Sequence, residues 1–345
     1  ALMRGGVLQL ARWRLLDRVV AAGTPPVRTT VYRYGGERRV IAIRPAHGVD
    51  ALYAPRRTVL DPLLAEAAAE AGADLRFGAR VSGLVWERGR VVGVRIAGTS
   101  SRELRARIVV GADGIRSIVA RQAHAGVTQQ AQSFSAVTYG YWNDLAVEGY
   151  EWGFERDACT GAIPTNDGRV CVFACASPER IGHGGATVIR SVAARADGDL
   201  AERLARANGP DLTRTWPGTP GHLRSAYGAG WALVGDAGYF RDPVVAHGIT
   251  DALRDAELLA RAITAGIDSE DELADALAHY EATRDRLSRP VLEIADRLAS
   301  HRWDDVELDQ LVRGISSATS AEVDLLAGLD EPVLEPAAAV MGGAR

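Results

Sequence analysis

An apolar strand passes directly into a glycine-rich turn at residues 108–117, which read Ile-Val-Val-Gly-Ala-Asp-Gly-Ile-Arg-Ser. An uninterrupted β-branched run of this kind is typical of a central strand that is covered on both faces. Gly111 and Gly114 allow the backbone to approach a ligand closely, and Ser117 can cap a following helix. The stretch therefore predicts a strand, a loop and a helix start whose amide groups face an anionic ligand, with Asp113 at the centre of the loop.

A second transition of the same kind lies at residues 231–250, Trp-Ala-Leu-Val-Gly-Asp-Ala-Gly-Tyr-Phe-Arg-Asp-Pro-Val-Val-Ala-His-Gly-Ile-Thr. The pattern predicts a strand over 231–234, a turn at Gly235 and Asp236, and a helix from about residue 248 to residue 263. Asp236 is suited to accept hydrogen bonds from sugar hydroxyls, and the amides of Gly248 and Ile249 can face a negative charge. Each loop alone is weak evidence for a ligand site, because Gly-Asp turns are common.

The remaining sequence predicts an α/β protein with several hairpins and helices. Helical spacing covers residues 1–20, and the pair Asp61-Pro62 predicts the cap and first position of a further helix. Glycine-containing turns join strands 29–34 to 40–44 and 79–86 to 90–96. Further strands are predicted at 139–142, 150–154 and 170–174, a helix at 191–208, and helices over 270–328.

Composition narrows the classes of function. The 345 residues carry a net charge of −4, which offers no surface for a polyanion, so nucleic acid is not an expected partner. We find no apolar run long enough to span a bilayer and no secretory leader, and we expect a cytoplasmic protein. No histidine and no second cysteine pair stands at metal-ligand spacing from Cys171 and Cys175, so we expect buried reduced thiols and no metal site. All 40 basic residues are arginine, because the sequence contains no lysine.

The two loops, in this order, resemble the Asp-Gly and Gly-Asp motifs of the para-hydroxybenzoate hydroxylase superfamily of FAD-dependent oxidoreductases. The similarity extends to Arg57-Thr58-Val59-Leu60-Asp61, where the family has an Arg-x-x-Leu segment, and to the opening stretch around Arg4. It covers residues 1 to about 125 and 222 to about 300. The segment Phe240-Arg241-Asp242-Pro243 is similar to the geranylgeranyl reductase and flavin halogenase branches, but halogenases of the family use an active-site lysine.

The resemblance implies a Rossmann-like FAD-binding domain and a second, mainly β-sheet domain that binds the substrate. We assign residues 1–28, 46–125 and 222–345 to the first domain, and residues 29–45 and 126–221 to the second. The family begins with a dinucleotide-binding βαβ unit carrying Gly-x-Gly-x-x-Gly, which this sequence lacks. We therefore expect an incomplete FAD-binding domain that binds FAD weakly without that unit.

The resemblance also implies the roles of individual residues. Asp236 is expected to bind the ribityl chain, Arg57 and Arg4 to approach the flavin or its pyrophosphate, and Pro243 through Ile249 to line the isoalloxazine. The loop of Gly111, Asp113 and Gly114, with Arg116, is expected to organise the phosphate side, where NADH or NADPH also binds. Instead of contacting a cofactor, Asp113 and Ser117 could simply cap a turn. Arg4 could likewise be a solvent-exposed arginine at a helix start. His247 is a candidate general acid, although a histidine at a helix start is more often exposed.

The expected activity is NAD(P)H-dependent hydroxylation of a small apolar or aromatic substrate at FAD. Reduction of an isoprenoid-type double bond is the alternative within the same chemistry, and a flavin-binding protein without turnover is the alternative from another class. The aromatic strand residues Tyr139, Tyr141, Trp142 and Trp152 either wall an apolar pocket or belong to the core, and no catalytic residue is assigned.

Overall fold

A computed structural model describes residues 1–98 and 102–331 of the chain. Its helices and strands come in runs along the sequence. The helices are α1 Arg4–Arg12, α2 Leu16–Ala21, α3 Arg57–Glu70, α4 Ile118–Gln122, α5 Pro178–Ile181, α6 Ala186–Ala196, α7 Gly198–Arg206, α8 Gly248–Gly266, α9 Glu270–Ala299 and α10 Asp305–Ala327. The strands are β1 Pro26–Val27, β2 Thr29–Tyr34, β3 Glu37–Ala42, β4 Leu52–Tyr53, β5 Val81–Glu87, β6 Arg90–Ile96, β7 Arg102–Arg105, β8 Val109–Gly111, β9 Val127–Gln130, β10 Ala136–Trp142, β11 Tyr150–Glu155, β12 Ala158–Pro164, β13 Val170–Ala176, β14 Thr213–Trp216, β15 His222–Arg224, β16 Tyr227–Gly228, β17 Trp231–Leu233 and β18 Tyr239–Phe240.

The largest sheet has seven strands in the order β14-β10-β13-β12-β11-β2-β3. Its strands come only from residues 29–42 and 136–216, and β2 joins the sheet by pairing in parallel with β11. Helix α6 packs across one face of the sheet, where Ile189 and Val192 are buried with Val172. The opposite face carries Trp152 and Phe154, which pack with Val244 and Leu298 from outside the sheet.

A small sheet of β16, β17 and β8 holds both glycine-rich loops. Strands β17 and β8 are parallel, with Trp231 opposite Val109 and Leu233 opposite Gly111. The long helices α8, α9 and α10 pack on each other beside this sheet, and α1 lies against α8 and α10. The structure thus joins a small mixed sheet with helices to a large mixed sheet, which agrees with the predicted α/β fold class.

Several predicted elements have different limits in the structure. The first helical stretch is two helices, because Arg14 adopts a left-handed φ of 57° between α1 and α2. The helix predicted to begin at Asp61 begins at Arg57, since the carbonyl of Arg56 already accepts the amides of Val59 and Leu60. Pro62 therefore lies inside α3, and Asp61 is not its cap. The helix predicted over 191–208 is also two helices, which meet at Asp197.

Strand β8 is not the covered central strand that its apolar sequence predicts. Val109 is buried, but Val110 is 39% exposed, and within the described residues only β17 pairs with β8. An unbroken apolar run cannot distinguish a central strand from an edge strand, because the covering elements come from elsewhere in the chain. Across the described ranges, no helix combines the length and the apolar character required to cross a membrane.

Candidate functional site

The two glycine-rich loops leave the same edge of one sheet. Because β8 and β17 are parallel neighbours, their carboxyl ends lie side by side, and the amide of Val234 donates a hydrogen bond of 3.0 Å to the carbonyl of Gly111. A Cβ atom on Gly111 would lie 2.7 Å from Leu233 Cδ2 and 2.8 Å from Val119 Cβ. Glycine at position 111 thus serves the close packing of strand and helix, and the predicted convergence of the two loops is present.

The carboxylate of Asp113 is committed to the start of α4. It accepts the hydroxyl of Ser117 at 2.5 Å and the amide of Ile118 at 2.6 Å, and Ser117 Oγ in turn accepts the amide of Ala120 at 2.9 Å. The capping interpretation of these two residues therefore describes their side chains. Gly114 has the left-handed φ of 74° that glycine tolerates, and Arg116 is exposed. A ligand at this loop could meet its backbone and Arg116, while the Asp113 carboxylate already accepts hydrogen bonds from Ser117 and Ile118.

Arg224 links the two loops, and the sequence analysis did not find it. Its Nη1 donates to the carbonyl of Ala237 at 2.8 Å. Burial lowers the pKa of the Arg224 guanidinium, and the nearby charge of Asp113 partly opposes that effect. Arg224 is the last residue of the short strand β15, and no local pattern distinguishes it from a surface arginine.

Asp236 lies at the amino end of α8. The turn begins at Gly235 with a left-handed φ of 53°, and Asp236 Oδ1 is 4.0 Å from the position that a Cβ on Gly248 would take. Within the described residues no protein group donates a hydrogen bond to this carboxylate. Burial raises the pKa of Asp236 to about 6, and the charge of Asp251 adds to the effect. The 19-residue helix α8 has no side-chain cap, so its first amides are also available.

The two arginines predicted to approach the flavin have different surroundings. Arg57 pairs with Asp61 at 2.5 Å on the surface of α3, and the charge of Asp236 lies close enough to raise its pKa. Arg4 donates to the carbonyl of Arg44 at 2.7 Å and to that of Val49 at 2.9 Å. Arg57 thus lies within electrostatic range of Asp236, whereas the guanidinium of Arg4 holds the 44–49 loop.

The segment from Pro243 to Ile249 leads into α8 through a tight turn. Asp242 accepts the amide of Val244 at 2.9 Å, Pro243 begins a short 3-10 turn, and Ala246 adopts a left-handed φ of 52°. His247 is buried, so the expectation that a histidine at a helix start is exposed does not describe this residue. Its Nδ1 lies 2.6 Å from the carbonyl of Val245.

A buried ionic network lies beneath this turn. Arg254, whose side chain is 1% exposed, pairs with Asp255 at 2.7 Å and with Glu322 of α10 at 2.8 Å. Arg241 pairs with Asp251 and also donates to the hydroxyl of Tyr239 at 2.9 Å. The network ties the first turns of α8 to α10. It was not predicted, because the acidic and basic residues of these helices also fit solvated faces.

A cavity of about 800 Å³ opens beside the same turn. One wall carries Tyr32, Trp152 and Phe154 of the large sheet, and Val244, Val245 and His247 lie on the wall formed by the turn. Helix α10 contributes further apolar residues. Tyr32 and Trp152 are register partners on the parallel strands β2 and β11, so their rings share one face. The surface of the cavity is mainly apolar, and polar side chains such as Thr30, Arg44 and Ser316 also line it.

Only one of the four aromatic strand residues proposed to wall a pocket lines this cavity. Trp152 does so, whereas Trp142 belongs to the core on the other face of the sheet. Tyr141 lies under the guanidinium of Arg56 at 4.9 Å, and Tyr139 is 36% exposed. Tyr32, which the sequence analysis did not select, takes the place beside Trp152.

These residues fit a flavin nucleotide by their chemistry. The Asp236 carboxylate has no protein donor among the described residues and is available to hydroxyls. The uncapped amino end of α8 attracts partial negative charge, Arg57 supplies a cation nearby, and an apolar cavity adjoins the same turn. The Asp113 loop contributes backbone at the same sheet edge.

Comparisons with known proteins agree with this geometry. The sequence model of a family described as FAD binding domain matches residues 7–295. A digeranylgeranylglycerophospholipid reductase of Methanopyrus kandleri is 27% identical over 281 residues, which cover 78% of this chain and 73% of that protein. A kynurenine 3-monooxygenase of Salinispora arenicola is 28% identical over 298 residues, 79% of this chain and 62% of that protein.

Solved structures share the fold. PqsL of P. aeruginosa, determined in complex with 2-aminobenzoylacetate, superposes with a TM-score of 0.76 at 22% identity, covering 90% of this chain and 88% of that one.

Proposed function

Because the chain belongs to the FAD binding domain family and is an FAD-dependent oxidoreductase, we propose that it is an NAD(P)H-dependent monooxygenase that hydroxylates a small apolar or aromatic substrate. The observation that carries this proposal is the adjacency of two features at one turn. Asp236 and the uncapped end of α8 adjoin residues 243–249, and Val244, Val245 and His247 of the same turn line the cavity of about 800 Å³. A cofactor held by the first would present its reactive ring to a substrate held in the second.

Each part of the site has a role that follows from its chemistry. Bound FAD supplies the redox chemistry, accepting hydride from a nicotinamide and activating oxygen. Asp236 accepts hydrogen bonds from the ribityl hydroxyls, while the first amides of α8 and the Arg57 cation stabilise negative charge. Tyr32, Trp152 and Phe154 hold the substrate and exclude water from the reacting atoms. Gly248 leaves space at the helix start for the close approach of the cofactor.

The cavity also favours a second candidate function, reduction of an isoprenoid-type double bond. Its walls include aliphatic residues such as Val244, Leu298 and Ile315, which suit a branched hydrocarbon chain as well as a ring. The Methanopyrus kandleri relative is named as such a reductase. A flavin-binding protein without turnover is the third possibility.

Flavin binding and electron transfer are measured separately. Protein expressed from the complete reading frame is purified, its flavin absorbance is recorded, and NADH and NADPH oxidation are followed together with oxygen consumption. We expect a yellow protein whose oxygen consumption rises with an aromatic substrate. A colourless protein contradicts the whole proposal, and a yellow protein inert to both nicotinamides supports flavin binding without turnover. Oxidation without oxygen consumption, with saturation of a prenyl chain, supports the reductase instead.

A matched pair of variants tests the site itself. Asp236→Asn removes the carboxylate that faces the ribityl chain, and we expect at least tenfold weaker FAD binding, because a hydrogen bond to a charged group contributes on the order of 2 kcal/mol. Arg206→Gln changes an exposed arginine whose pair with Glu202 is 3.9 Å long, and we expect unchanged binding. Equal FAD affinity in Asp236→Asn and the parent protein contradicts the assigned role of Asp236.

A further inference from the structure

His247 is the polar residue that the turn of residues 243–249 presents to the cavity. It is buried, it lies directly before the first residue of α8, and it lines the cavity beside Val244 and Val245. The other groups of that turn which face the cavity are apolar. A ligand held against this turn can meet the imidazole.

The hydrogen bond at Nδ1 determines what the other nitrogen can do. A carbonyl oxygen can only accept, so the 2.6 Å contact with Val245 requires the proton on Nδ1. In the neutral ring with its proton on Nδ1, Nε2 is a hydrogen-bond acceptor. Within the described residues Nε2 makes no hydrogen bond. Because His247 lines the cavity and its Nδ1 is turned toward the Val245 carbonyl, Nε2 is the ring nitrogen left for a ligand.

The remaining polar groups around the cavity are largely engaged within the protein. Arg4 donates to backbone carbonyls, Thr250 Oγ1 accepts the amide of Met3 at 3.1 Å, and Glu322 accepts from Arg254. His47 pairs with Asp324 at 3.1 Å. The hydroxyl of Tyr32 lies on the opposite aromatic wall, and burial raises its pKa to about 12, so it stays protonated at neutral pH. It can therefore donate, whereas neutral His247 can only accept at Nε2.

We propose that His247 determines the specificity of the cavity by accepting a hydrogen bond at Nε2 from an aromatic substrate that carries a hydroxyl or amino N–H donor. The ring of such a substrate packs on Tyr32 and Trp152, which share one face of the sheet. This inference names the residue that selects the substrate of the proposed monooxygenase. It rests on that proposed function only in treating the bound aromatic molecule as the substrate. The binding preference itself does not depend on FAD or on turnover.

Matched ligands test the acceptor directly. Para-butylphenol and para-butylanisole have similar shapes, but only the phenol can donate a hydrogen bond. Isothermal titration calorimetry with the full chain is expected to give about tenfold tighter binding of the phenol, the effect of one hydrogen bond in a partly dry site. Equal affinities, or no binding of the phenol, overturn the inference even where flavin binding and nicotinamide oxidation are observed.

Variants identify the residue responsible. His247→Phe keeps the ring and removes the acceptor, so the preference for the phenol is expected to vanish. His247→Gln restores an acceptor oxygen and is expected to retain most of it. Tyr32→Phe on the opposite wall is expected to keep the preference. Loss of the preference in Tyr32→Phe with its retention in His247→Phe overturns the inference.

A measurement on the parent protein covers the case in which His247→Phe does not fold. In protein labelled with ¹⁵N-histidine, the phenol is expected to shift the Nε2 resonance of His247 and the anisole to leave it in place. The resonance is assigned from its absence in His247→Gln. No shift with saturating phenol overturns the inference.

Discussion

Gly111 and Leu233 lie opposite each other on two parallel strands, β8 and β17, and a Cβ atom at position 111 would approach the Leu233 side chain to 2.7 Å. This pairing brings together two loops that are far apart in the sequence. It explains why the motif around Asp113 and the motif around Asp236 lie at the same edge of the sheet. It also means that the site depends on the packing of this small sheet.

The lack of space at Gly111 predicts that a single methyl group added there lowers the stability of the protein. We expect Gly111→Ala to lower the free energy of unfolding by about 1 to 3 kcal/mol, because Leu233 and Val119 both have to move. Urea denaturation followed by circular dichroism measures the change. Gly126→Ala is the matched control, since its new Cβ would meet only Ser225 Oγ at 3.8 Å. Equal losses in the two variants contradict the packing argument.

Burial of Asp236 predicts a pH-dependent gain of stability when its charge is removed. Its pKa in the native state is raised from 3.8 to about 6, chiefly by burial, so the native state holds this proton more tightly than the unfolded chain. The associated stability is complete below about pH 4 and is lost as the pH rises through 6. Asp236→Asn is therefore expected to be more stable than the parent protein at pH 7, by roughly 1 to 3 kcal/mol.

Thermal unfolding without added flavin, at pH 4 and pH 7, checks this prediction. The difference in melting temperature between Asp236→Asn and the parent protein is expected to grow between these two values. A constant difference, or a less stable variant at pH 7, contradicts it. Asp236 would then lower the stability of the protein without ligand while contributing to ligand binding. This combination is expected of a residue in a functional site.

The buried Arg254 network predicts that the protein loses much of its stability when the Arg254 cation is removed. Arg254→Met leaves Asp255 and Glu322 without their common partner, and we expect a loss of about 3 to 5 kcal/mol in the free energy of unfolding. Arg206→Met, at an exposed pair with Glu202, is expected to change stability by less than about 0.5 kcal/mol. Chemical denaturation of both variants separates a buried network from an ordinary surface charge.

The cysteines are expected to react slowly in the native protein. Cys159, Cys171 and Cys175 are free thiols, and burial raises the pKa of each, to about 11 for Cys171. A disulfide exchange reagent such as Ellman's is therefore expected to label none of them within minutes, and all three after denaturation. Rapid labelling in the native state contradicts the described burial. Cys159 lies opposite Cys175 across β12 and β13, a proximity that the sequence did not indicate.

Much of the fold could be predicted from local sequence. Hairpins such as β5–β6 were identified by alternation and a glycine turn, and α8 by its spacing of apolar residues. The start of α3 was not predicted correctly. The backbone amide of Arg56 donates a 2.9 Å hydrogen bond to Oδ1 of Asn166, a residue far along the chain. The edge position of β8 was missed for the same reason, since it depends on which elements pack beside the strand.

The sequence by itself determined the two glycine loops, the acidic residue in each, the class of fold and the resemblance to flavin-dependent oxidoreductases. These depend on backbone conformation and side-chain type, which are local. Only the tertiary structure decided that Asp113 caps α4 while Asp236 stays available, that Arg4 holds a loop, and that His247 and Tyr32 face one cavity. The physical reason is that hydrogen-bond partners and burial are supplied by residues distant in the chain, and these decide whether a polar group is used for structure or left for a ligand.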